Sequence, residues 1–265
     1  MFTEFIFSMH SVIVIIATAL LSMLLSVLAL KFIRKRISWE HFKENHEVGG
    51  FLFNALGLIY AVIVAFVMFI SWTEYTDAIN FSENEISHLR SLYHNSQAFD
   101  EDMRKNIRGN IISYVNSVIT EEWPMMGHGK ISESSRIEFT KLWNLYLIAP
   151  HLKEGKTEIV YQESLKDLSE AAKARVMRIA TSRKSIPGIV WTVIIIGALT
   201  SVGFSLFFGT RVFKVQATMT ALFAMTNALI ILLIYYLDHP FSGNTGLSPI
   251  IFSEFLKMIN TNPIL

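Results

Sequence analysis

VGGFLFNALGLIYAVIVAFVMFIS, residues 48–71, decides how the rest of the chain is read. It holds no Lys, Arg, Asp or Glu and exceeds the roughly 20 helical residues that cross a bilayer core. It then runs through Trp72 and Glu74 to Gln97 without a Gly or Pro, so the helix is expected to leave the membrane unbroken. Three further apolar runs, residues 8–33, 187–208 and 215–237, also have no charge in their middle. Backbone polar groups in hydrocarbon must be satisfied within the segment, so four helices are the economical reading. They form two hairpins, joined by residues 31–47 and by the short Gly209–Lys214 link, with a charged insert between them.

Composition agrees once it is divided. Residues are 52% hydrophobic and 17% charged, but the charges collect at 31–47 and 74–184, so two solvents are averaged together. A net charge of +1 provides no basic field for nucleic acid. The absence of cysteine removes disulfides, thiolate catalysis and cysteine metal clusters. The first run lacks a basic leader and ends in Lys31 and Arg34-Lys35-Arg36, so it is expected to be a retained helix rather than a signal peptide.

Small residues recur at helical spacing in every run: Thr18, Ser22 and Ser26; Gly57, Ala61 and Ala65; Gly197, Ser201, Ser205 and Gly209; Ala217, Ala221, Ala224 and Ala228. Such spacing lets helix backbones approach closely where no hydrophobic force separates protein from lipid. Asn54 and Asn227 place amides inside the runs, where polar groups are costly and either pair between helices or serve function.

The insert reads as helical throughout. Ile79, Ile86, Leu89 and Tyr93 mark one apolar face; Asp100 is an N-cap for a helix carrying Met103, Ile107, Ile111, Tyr114, Val115 and Val118, which Pro124 is expected to stop. A third helix from near Ser132 carries Ile137, Leu142, Leu145 and Ile148. A fourth from near Thr157 carries Val160, Leu165, Leu168, Ala172 and Val176. The segment 74–122 is net acidic and 173–184 basic, so antiparallel pairing of these two arms is expected. The expected division is therefore 1–71 as the first hairpin, 72–186 as the insert, 187–238 as the second hairpin and 239–265 as a C-terminal tail.

Catalytic patterns are absent: there is no phosphate-cradling glycine loop, H-E-x-x-H or G-x-S-x-G, and no enzyme is expected. His41 and His46, among Glu40, Glu44 and Glu47, read as a solvated link rather than a metal site. Glu121-Glu122-Trp123-Pro124-Met125-Met126 reads as a helix terminus whose Trp packs back on the bundle, with a partner patch as the alternative. Asp238 and His239 are followed by a turn at Pro240 and Gly243 that lets Phe241 pack under the bundle; an ion role for the pair is the sharper alternative. Lys31, Arg34, Lys35, Arg36 and Lys43 on one link and Arg211 and Lys214 on the other favour cytoplasmic links, hence an insert on the far side.

Several stretches resemble the bestrophin-like bacterial membrane proteins, a domain family of unknown function. They are Gly49-Gly50-Phe51; Gly57-Leu-Ile-Tyr60-Ala-Val with Phe66; Trp72, Tyr75, Ala78 and Glu85; Tyr114 with Glu122-Trp123-Pro124; Ser182-Arg183 with Pro187 and Trp191; and Leu237-Asp238 with Pro240-Phe241-Ser242-Gly243 and Ser248-Pro249. The more distant resemblance is to bestrophins, pentameric anion channels with an aromatic-lined neck on the second helix. It implies Phe51, Phe66 and Phe69 as neck residues, the Pro240–Gly243 stretch as the exit turn, and a cytoplasmic insert, opposite to the short-link count. Asn54 joins them as a candidate pore position. The acidic cluster that binds calcium after the turn in animal bestrophins is missing, so no metal or cofactor is implied.

The expectation is thus an all-α membrane protein of bestrophin-like architecture in a bacterial inner membrane. Its function is that of a homo-oligomeric channel, a pentamer if bestrophin-like, with a small anion as permeant partner. The alternative is a non-conducting sensor or scaffold whose insert binds a ligand or partner.

Overall fold

The computed structural model describes residues 2–36, 46–148, 156–242 and 246–261. The side chains of residues 2–11, 46, 156 and 157 are not described. All regular elements among the described residues are helical: α1 (Phe2–Arg36), α2 (His46–Asn95), α3 (Glu101–Ser117), α4 (Trp123–Met126), α5 (Glu133–Ile148), α6 (Lys156–Thr181), α7 (Gly188–Ser205), α8 (Phe213–Asp238) and α9 (Ile250–Thr261). A 3₁₀ turn follows α2 and a π-turn, Val118–Glu122, joins α3 to α4. Four helices are long and apolar enough to span a membrane, in the regions expected. The His41 link and Gly243 lie outside the described residues.

The chain divides into two compact units, Met1–Thr73 with Ser185–Asp238, and Glu74–Lys184 with His239–Leu265. In the first, α1 packs along α8, burying Ser26 and Leu30 on one side and Ala221 and Ala224 on the other. The Ser22 and Ser26 hydroxyls donate to carbonyls one turn back, at 2.9 and 2.8 Å, so close packing leaves these hydroxyls satisfied. Asn227 does the same, donating to the Phe223 carbonyl at 2.9 Å. Val64 and Val67 of α2 meet Ile194 of α7 and Ile234 of α8 in a small core flanked by Tyr60 and Trp191.

On α2 the expected small-residue stripe is only partly used. Ala61 and Ala65 stay exposed in the single chain, and the close approach is made instead by Tyr60 over Gly197 of α7. A Cβ at Gly197 would lie 2.5 Å from the Tyr60 ring. The glycine is therefore required by an aromatic ring on the partner helix, not by a small residue.

The second unit is built around Leu89, Leu92, Ile107, Ile111, Tyr114, Leu142, Tyr146, Leu168, Phe252 and Phe255. Asp100 caps α3, accepting from the Met103 amide at 2.8 Å. Pro124 does not stop this helix. The chain widens into the π-turn and restarts, leaving Pro124 in the first turn of α4, where a missing N–H costs least. Two apolar faces also differ from expectation. On α5, Ile137 and Ile148 are exposed and Phe139, Leu142 and Tyr146 face the core. On α6, Val176 is exposed while Ser164, Leu168, Ala171, Arg175 and Arg178 are buried, at the 4-3-4-3 spacing that marks one helix face.

Candidate functional site

Two places gather the residues that the sequence singles out. The first is the outward face of α2. Val64, Val67 and Ser71 turn inward. At about 100° per residue, Phe51, Val62, Phe66 and Phe69 fall within an arc of about 60° on the opposite side. In the single chain Phe51, Phe66 and Phe69 are 75%, 67% and 68% exposed. Phe66 and Phe69 lie one turn apart, whereas Phe51 is about 22 Å further along the helix, so the three cannot line one constriction. Asn54 is exposed on the flank of this face, and Trp72 is exposed at its far end. Tyr60 points the other way, into the α2–α7 contact.

The second place is a buried ion cluster in the other unit. Arg178 of α6 is fully buried, and its Nε donates to Glu85 Oε2 of α2 at 2.8 Å. Its Nη2 donates to Glu122 Oε1 at 2.7 Å and to Glu85 Oε1 at 3.3 Å. Arg175, one turn earlier, donates to Glu122 Oε2 at 2.5 Å. The Tyr114 hydroxyl donates to Glu85 Oε1 in a short bond. The π-turn ends on Glu122 and so brings a carboxylate from the α3 side to the same two guanidinium groups that α6 supplies.

Two carboxylates and two guanidinium groups cancel, which is the condition for keeping charge out of water. Aromatic faces complete the enclosure. Arg178 lies over Trp123 and Phe252, 5.6 and 5.3 Å from the ring centres; Arg175 lies over Phe139 and Tyr114 at 5.7 and 5.8 Å. Burial works to lower the affinity of Arg178 for its proton, but Glu85, Tyr114 and Glu122 outweigh it and raise the pKa above the ordinary arginine value. Arg175 shows the same balance, burial opposed by Tyr114, Glu122 and Glu85. Tyr114 is pushed well above an ordinary tyrosine, first by burial and then by Glu85. Arg175 and Arg178 thus stay protonated, and the Tyr114 hydroxyl keeps its proton, across the neutral range.

The remaining motif residues scaffold these places. Trp123 donates its indole N–H to the Leu247 carbonyl at 2.7 Å and packs edge-on against Phe241 and Phe252, the packing read from the sequence. Pro124 is exposed. Pro240 is buried, and its carbonyl accepts from the Leu247 amide at 2.6 Å. In the membrane unit Asp238 accepts from the Ile186 amide at 2.7 Å and from the Trp191 indole at 3.2 Å, which anchors the start of α7. These bonds give Asp238 a structural role at the start of α7. No cluster of three or more metal-ligating side chains occurs among the described residues.

The antiparallel arms are found: Asn95 and His88 of α2 meet Asp167 of α6, and Glu85 meets Arg178. Arg175 and Arg178, a basic arm beside the membrane by charge pattern alone, lie inside the core. The signal was available, because both continue the Leu168–Ala171 face at helical spacing.

A crystal structure of a point variant of a bacterial bestrophin homologue from Klebsiella pneumoniae superposes with a TM-score of 0.69 at 14% identity, over 92% of this chain and 98% of that one. A second variant of that homologue gives 0.68 at 15% identity over the same shares. A crystal structure of a point variant described only as a membrane protein gives 0.71 at 14% identity, over 95% and 98%. At such identities the likeness shows a common fold. No functionally curated protein matches. The Bestrophin-like domain matches residues 10–252, and this chain, an all-helical membrane protein, belongs to the Bestrophin-like family.

Proposed function

We propose that this chain is one subunit of a homo-oligomeric, anion-permeable channel of a bacterial inner membrane, with α2 lining a hydrophobic neck. The observation that carries the reading is the outward apolar face of α2, on which Phe66 and Phe69 stand one turn apart and exposed. Rings of such side chains around a shared axis would gate by constriction and dewetting. The membrane part of α2 carries no carboxylate, so no acidic ring favours cations. Five subunits are proposed from the bestrophin resemblance. Phe51, far along the helix, and Asn54 on its flank would line a separate level of the path.

The test is halide flux from liposomes holding the purified oligomer. Chloride flux is expected, rising when Phe66→Ala and Phe69→Ala are combined. Absence of both chloride and sodium flux from a folded oligomer, in wild type and double variant alike, would sink the reading and leave the non-conducting sensor.

A further inference from the structure

A cavity of about 280 Å³ in the membrane unit lies apart from Phe66, Phe69 and the ion cluster and shares only Asn54 with the proposed path. It opens among the first turns of α2, the end of α7 and the first turns of α8. Phe53, Phe208, Phe223 and Met219 form its apolar wall. Phe53 stacks on Phe204 at 5.8 Å, meets Phe208 at a tilt at 5.3 Å and meets Phe223 edgewise at 5.8 Å, so the wall is a packed aromatic cluster. The polar lining comes from Asn54 and Gln216, with Ser205 and Thr220 beside them.

Gln216 is the informative residue. It is 2% exposed, and its Nε2 donates to the Leu206 carbonyl at 3.1 Å. That bond assigns the amide, since the flipped orientation would set oxygen against oxygen. Its Oε1 is buried with no hydrogen-bond partner among the described residues. A buried carbonyl oxygen without a donor costs free energy unless a ligand supplies one.

Depth narrows the ligand. Gln216 stands one residue inside the apolar run that begins at Val215, and Gly50 and Asn54 stand near the start of the run at Val48. At about 1.5 Å per residue, all three lie within about 10 Å of the ends of their spans, the glycerol and headgroup level of a bilayer. The volume is many times what one water needs, and three phenylalanine rings suit hydrocarbon better than a water cluster.

We propose that this cavity is a phospholipid site. An acyl chain lies along Phe53, Met219 and Phe223, and a headgroup bearing N–H or O–H donors, an ethanolamine or a glycerol, bonds Gln216 Oε1. A choline headgroup has no such donor. Lipid binding here does not require that the protein conducts.

The experiment uses the full chain reconstituted in vesicles of phosphatidylethanolamine and phosphatidylglycerol at 3:1, then extracted in mild detergent and weighed by native mass spectrometry. A phosphatidylethanolamine carrying a photoreactive acyl chain maps the contact. Retained lipid and crosslinks on peptides of α2 and α8 containing Asn54 and Met219 are expected. Gln216→Leu is expected to lower occupancy about tenfold, the loss of one hydrogen bond to a charged donor. Reconstitution in phosphatidylcholine alone is expected to lower it as much.

Gly50→Met supplies a second variant. Gly50 lines the cavity and a Cβ there meets nothing within 4 Å, so the methionine side chain is expected to fill the space and exclude the lipid. Equal retention of phosphatidylcholine would overturn the proposal, as would undiminished crosslinking in both variants or release of all lipid from the wild type.

Discussion

Replacing Arg178 by methionine should be the most damaging single change in the extramembrane unit. The variant removes three hydrogen bonds to carboxylates, at 2.7, 2.8 and 3.3 Å, from a site with no access to water. Glu122 keeps Arg175, but Glu85 is left with only the Tyr114 hydroxyl, a buried carboxylate without a cation. Breaking one side of a buried pair costs about 3–5 kcal/mol, mostly the stranded charge. For a unit of this size about 1 kcal/mol moves the melting temperature by roughly 2–4 °C, so a fall of about 10 °C is expected. The assay is thermal unfolding of the detergent-solubilised protein followed by tryptophan emission, with Trp123 lying over Arg178 as a local reporter.

The double variant separates the stranded charge from the lost contacts. Adding Glu85→Gln to Arg178→Met removes the stranded charge and should recover most of the loss, a coupling of about 2–3 kcal/mol. A single variant that melts within 2 °C of wild type, or a double variant as unstable as the sum of the singles, would refute the account of Glu85 as the residue bearing the cost.

Burial raises the pKa of both Tyr114 and Tyr146. A group with a raised folded pKa contributes stability that is complete below its unfolded value and lost above it. The extramembrane unit should therefore be insensitive to these tyrosines between pH 6 and 9 and lose about 1.4 kcal/mol per pH unit per tyrosine above about pH 10. Tyr114→Phe should halve that slope in alkaline unfolding, and an unchanged slope counts against it. Gly197→Ala drives a methyl to 2.5 Å from the Tyr60 ring and should destabilise the membrane unit by about 1–3 kcal/mol; adding Tyr60→Leu should relieve it in the same melt. Asp238→Ala leaves the Ile186 amide and the Trp191 indole without this acceptor and should cost about 1–3 kcal/mol, read as a lowered melting temperature of the detergent-solubilised protein.

Much of the architecture follows from local pattern. Span length, absence of charge and the lack of Gly or Pro after residue 71 suffice for four membrane helices and for an α2 that continues to Asn95, because helix formation in lipid depends on the segment's own backbone. The Asp100 cap and the α3 face are local too. Pro124 reads as a stop in the sequence, but the chain passes it through a π-turn, a backbone adjustment that no residue pattern announces.

The ion cluster was decided elsewhere. Charge pattern alone paired an acidic arm with a basic one, and periodicity could have placed Arg175 and Arg178 on the α6 core face. Whether a charge can be buried depends on partners brought from distant positions. Glu85, Tyr114, Glu122 and Arg178 come from separate segments, and each is admissible in the core only because the others are there. The same holds for residues 48–71: their apolarity determined a membrane helix, while packing against α7 and α8 determined that Val64 and Val67 face inward and Phe66 and Phe69 face out. Hydrophobicity sets the solvent of a segment; only its neighbours set the direction of each side chain.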